Sequence, residues 1–161
     1  MKKLLLSLLF TLPVLAQDGF RNERGNLVWQ RLYPATTNID AALQNTPGIE
    51  IDMAGNNVYL GRGNEVTNTC QGGTALMNNK CKFDFTVKLE EGNYVVTITN
   101  IRIIEKMGPM QARIFANRAE KYFVNADLKI RKDTRTQTDM TCLDNFLTGI
   151  FSSETRALTS N

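Results

Sequence analysis

The side chains able to do chemistry in this 161-residue chain are carboxylates, three cysteines and a short run of cations, because histidine is absent altogether. Without imidazole there is no Ser-His-Asp or Cys-His catalysis and no metal site built on histidine. Cys70, Cys81 and Cys142 are too few for a four-thiolate zinc site and form no CxxC pair. The sequence therefore names no catalytic residue and no metal ligand, and it calls for no cofactor. One hydrolytic chemistry survives, the paired carboxylates that serve glycosidases. Glu50 and Asp52 stand two residues apart, on one face of a strand, and are the candidate pair. The same alternation also makes them the wet side of a strand whose other side is Ile49, Ile51 and Met53.

Two further groupings invite a binding role. Gly61-Arg62-Gly63 has glycines that let backbone N–H groups approach an anion, but Val66 occupies the third glycine position and no helix pattern follows, so the dinucleotide fingerprint fails. Lys129, Arg131, Lys132 and Arg135 are the densest cationic stretch and the candidate anion-binding residues; a run this short reads equally as a solvated face. Of the formal charge of +3, two units belong to Lys2 and Lys3, so the rest of the chain is nearly neutral and predicts no polyanion partner.

Those two lysines open a targeting segment. They precede an apolar run from Leu4 to Leu12, closed by Val14-Leu15-Ala16 in the manner a signal peptidase reads, so residues 1–16 are expected to be a signal peptide too short to span a membrane. The expected exported chain is one domain over 17–151 with a loose tail over 152–161, placed in the periplasm or outside the cell. Disulfides persist there, and three cysteines leave one over. Cys70 and Cys81 flank a polar loop able to bring them together, so they are the candidate disulfide, with Cys142 a buried free thiol beside Met140, Leu143 and Phe146. Pairing of Cys142 with either of the others, or three reduced thiols, stays open.

The element that must position all of these is the stretch Cys81 to Glu105. Phe83, Phe85, Val87 and Leu89 alternate with polar residues, Glu91-Gly92-Asn93 makes a turn, and Tyr94, Val96 and Ile98 alternate in return. The apolar side then passes to Ile101 and Ile103, which predicts a bulge near Asn100. Before this hairpin come a polar, frayed 17–24, a strand over Asn26–Tyr33 with Trp29 as a packing residue, a short helix over Asn38–Asn45, and a second hairpin from Ile49 to Leu60 turning at Gly55-Asn56. After it, spacings of three and four among Ile114, Phe115, Ala119, Tyr122 and Phe123 predict a helix over Met110–Val124. Residues 126–132 fit either a strand or helical continuation, and a last helix is expected over Asp139–Phe151.

This order is an α+β layout, an antiparallel sheet of about five strands with helices packed on one face. The run FDFTVKLEEGNYVVTITNIRI resembles the motif of a domain-of-unknown-function family found in exported proteins of gram-negative bacteria, with a TATA-binding-protein-like (TBP-like) fold. The opening GNLVWQRLYP followed by a helix is similar to that family's first strand and helix, and the resemblance spans Gly25 to Glu105. It implies a fold and an exported location; it carries over no catalytic residue, and no nucleic-acid partner follows from a likeness of shape. The function expected is an exported, non-enzymatic binding or accessory module of the cell envelope, with a carboxylate-dependent hydrolase or a structural or adhesion component as the alternatives. The expected partner is either an envelope protein or a small apolar ligand held between the sheet and the helix over 110–124, with no transmembrane span in the mature chain.

Overall fold

A computed structural model describes residues 19–34, 39–108, 110 and 113–152 of the chain. The expected signal peptide and the tail beyond Ser152 lie outside those residues.

The central hairpin forms as its alternation requires, from strands β5 (Lys80–Glu90) and β6 (Asn93–Met107). Phe85 pairs with Ile98, Val87 with Val96 and Leu89 with Tyr94, so the apolar residues of both arms share one face. Between the pairs Lys82–Arg102 and Asp84–Thr99, β6 carries one residue more than β5. Asn100 stands at that bulge with φ 52°, and its amide donates to Asp84 Oδ2 at 3.1 Å. The extra residue returns Ile101 and Ile103 to the buried face after Ile98, and all three are fully buried.

The sheet is antiparallel and seven-stranded, two strands larger than expected. Its order is β1 (Gly19–Glu23), β2 (Asn26–Pro34), β6, β5, β4 (Val58–Val66), β3 (Ile49–Gly55), with β7 (Arg113–Arg118) also on β6. Both extra strands correct the sequence reading. Residues 19–23, expected to fray, turn back through Arg24-Gly25 at φ 52° and 88° and pair along β2 from Gly19–Gln30 to Glu23–Asn26. The helix expected over 110–124 is instead β7 followed by the single turn α2 (Glu120–Phe123). The reason lies in β6, whose pairing with β2 runs only from Asn93 to Ile98 and leaves its last residues unpartnered on that side. Strand β7 fills that edge, Arg102 to Met107, and satisfies its backbone groups. Residues 126–132 are neither strand nor helix, but a turn closed by a bridge between Val124 and Ile130. The β3–β4 turn is Asn56-Asn57, both at positive φ, one residue later than predicted.

Helices cover one sheet face. Helix α1 (Ile39–Asn45) and the long α3 (Thr134–Phe151) lay Leu43, Leu143, Phe146, Leu147, Ile150 and Phe151 on the inward residues of β2, β5 and β6. Helix α3 begins five residues before the predicted Asp139, because Asp133 caps it and accepts from Thr136 N at 2.9 Å. That backbone bond holds the Asp133 carboxyl below the usual carboxylate range. Tyr94 donates to Phe151 O at 2.6 Å and stacks on Tyr33 at 4.9 Å, fixing the far end of α3.

Gly61 and Gly63, the glycines of the failed phosphate motif, are explained by packing. The Phe85 and Phe83 rings lie directly on their backbone, and a Cβ at Gly61 would stand 2.5 Å from Phe85 Cζ. Gly61→Val is therefore expected to destabilise the fold by about 1 to 3 kcal/mol through overpacking. The denaturant midpoint measures this, and an unchanged midpoint would mean that the ring does not rest on β4.

Candidate functional site

The described residues form a sizeable concavity that is not where the sequence placed it. The C-terminal half of α3 splays from α1 and from the end of β4, leaving an open cleft of about 990 Å³. Ala42 of α1 and Thr46 just after it form one wall, Phe146, Gly149 and Ile150 of α3 the other, and Val66 with Thr67 the base. The residue types that make this space are small. A Cβ built at Gly149 meets nothing within 4 Å, so the helix wall is open at that point. The rest of the lining includes neutral amides and hydroxyls, from Asn45, Asn64, Thr69 and Asn145. Its two charged members, Glu65 and Lys80, neutralise one another at 3.5 Å. Glu65 sits at a bulge of β4 with φ 54° and lies within 3.9 Å of Lys82 as well.

One rim of the cleft is held by a covalent bond that corrects the expected pairing. Cys70 is joined to Cys142, with Cα atoms 5.4 Å apart, and Cys81 is the free, buried thiol. The cause is the strand itself. Cys81 precedes Phe83 and Phe85 by steps of two in β5, so its side chain points into the core, where burial pushes the thiol pKa up to about 12. The loop after β4 instead crosses to α3. Asp139, only 1% exposed, accepts from Thr74 N at 2.6 Å and Thr74 Oγ1 at 2.8 Å, and Cys142 follows one turn later on the same helix face. The short 3₁₀ turn Ala75–Asn78 then returns the chain to β5 with Met77 buried.

The other sequence candidates do not line the cleft. Glu50 and Asp52 both bind the Arg62 guanidinium, at 3.1 and 2.8 Å, on the exposed edge of the sheet. A bulge between Ile51 and Met53 brings the two carboxylates to that one partner. Lys129, Arg131, Lys132 and Arg135 are all exposed around the turn that leads into α3. Arg131 is engaged there with the Val124 and Lys121 carbonyls, at 3.3 and 3.5 Å. Trp29 is fully buried as a packing residue, and its Nε1 donates to Asp144 at 2.6 Å, while Arg31 reaches the same carboxylate at 2.9 Å. Sequence reading missed both Asp139 and Asp144, whose partners lie 65 and 115 residues away. The cleft was missed for the same reason, since its walls come from three distant segments. Among the described residues no group of three or more His, Cys, Asp or Glu side chains could hold a metal ion, and no helix is long and apolar enough to cross a membrane.

No protein-family model and no curated protein matches the chain. Among solved structures, it is similar to a DUF4468 family protein from Bacteroides ovatus, with 16% identity, a TM-score of 0.47, and 80% of this chain and 81% of that one covered. It is likewise similar to a TBP-like protein from Parabacteroides distasonis, with 10% identity, a TM-score of 0.49, and 81% and 94% of the two chains covered.

Proposed function

We propose that the chain is an exported, non-enzymatic binding module that holds a small, uncharged, partly apolar ligand in the cleft between α1 and α3. The observation that carries this reading is the cleft itself. Its volume of about 990 Å³ stands at the upper end of ordinary small-molecule sites, and its lining mixes apolar walls with a few convergent amides and hydroxyls. The Glu65–Lys80 pair leaves little net charge in the lining, which favours an uncharged occupant. Export is supported by the disulfide, since such bonds persist in oxidising compartments.

The variant Gly149→Trp tests the site, because a side chain added there enters open space and fills the cleft from its helix wall. Native mass spectrometry of protein purified from its own host should find a small-molecule adduct on the wild type and none on the variant, with the melting temperature of the variant unchanged. An equal adduct on both proteins, or none on the wild type, would overturn the reading.

A further inference from the structure

Away from the cleft, the far end of the β6–β7 hairpin is exposed and apolar. Met107 is 53% exposed, Met110 97%, Ile114 65% and Phe115 46%. In the pairing register Phe115 opposes Glu105 and Ile114 opposes Lys106, so Ile114 and Phe115 project from opposite faces of the ribbon. A ribbon that is apolar on both faces has no single face to lay against a flat protein surface, whereas a surrounding apolar medium accepts both.

From Lys106 to Ala119 the charges have one sign, with Glu105, opposite Phe115, as the neighbouring carboxylate. The sequence there holds Lys106, Arg113 and Arg118 and no Asp or Glu. Lys106 and Arg113 oppose Ile114 and Met107 across the two strands, which puts one cation on each face. The flanking carboxylates are hydrogen-bonded at the inner end of the ribbon. Glu105 accepts from Tyr122 and from Asn117, and Glu120 accepts from Leu27 N at 2.7 Å and from Arg118. Among the described residues neither Lys106 nor Arg113 is in an ion pair.

We infer that this hairpin end docks on an anionic lipid bilayer, with Met107, Met110, Ile114 and Phe115 entering the headgroup boundary and Lys106 and Arg113 contacting lipid phosphates. A second copy of the chain is disfavoured in one symmetric register. Symmetric antiparallel pairing of two β7 edges centred between Phe115 and Ala116 would set Arg113 against Arg118 twice, and like charges directly opposite repel.

The test is co-sedimentation of the protein with vesicles of phosphatidylcholine alone and of phosphatidylcholine with 30% phosphatidylglycerol. Binding is expected only to the anionic vesicles, weakened about tenfold by the Lys106→Gln, Arg113→Gln double substitution and by 0.5 M salt. Met110→Ser should also weaken it severalfold; at 97% exposure that residue has no packing to lose, so the fold is preserved. Equal binding to both vesicle types, no binding to either, or binding indifferent to Met110→Ser would overturn the inference. So would a dimer in sedimentation velocity that Ile114→Ser dissociates.

Discussion

Phe85→Ala is expected to lower the unfolding free energy by about 3 to 5 kcal/mol, a large share of an ordinary domain's stability. Phe85 is buried at the middle of the central hairpin, opposite Ile98, with its ring edge-on to Phe151 of α3 at 5.4 Å. On its other side it covers Gly61, which has no side chain to move into the vacated space. The hole therefore stays open between sheet and helix, the condition under which truncations reach the upper part of their range. Thr86→Ala, one residue on and facing away from α3, is expected to change stability by no more than about 0.5 kcal/mol. Urea denaturation measures both, and equal losses would refute the assignment of faces.

Replacing Cys70 and Cys142 together by serine is expected to cost about 4 kcal/mol. The bond closes a loop spanning 72 residues of sequence, and chain entropy sets this magnitude for a loop of that length. The same variant should loosen the cleft, because Cys70 lines it and the bonded loop forms its rim. Peptide mapping without reductant should recover Cys70 linked to Cys142, while Cys81 reacts with alkylating agents only after unfolding, as a buried thiol with a pKa of about 12 does. Cys81 recovered in a linked peptide would contradict this.

The legible parts of the fold were those decided within a few residues. Strict alternation set the faces of β5 and β6, and the shift of apolar positions from Ile98 to Ile101 announced the bulge that Asn100 makes. What failed depended on distant partners. The spacing of Ile114, Phe115 and Ala119 suits a helix, but β6 outruns β2 and its open edge recruits that segment as a strand. Competition between local periodicity and an unsatisfied edge is invisible in the segment alone. The disulfide failed differently, because its signal was present. Cys81 continues the inward series of Phe83 and Phe85, and that series already placed it in the core, away from any loop cysteine. Nearness in sequence was the weaker argument. The cleft had no local signal, since its walls are two helices a hundred residues apart and a loop pinned by the buried Asp139.

The binding reading rests most directly on where a ligand touches the protein. Amide NMR spectra of protein isolated from its host can be compared with spectra of the same protein unfolded, stripped of bound molecules and refolded with its disulfide intact. The account predicts that the differences cluster at Ala42, Thr46, Val66 and Gly149, around the cleft. Identical spectra, or differences confined to Thr86 and Thr97 on the opposite sheet face, would contradict it.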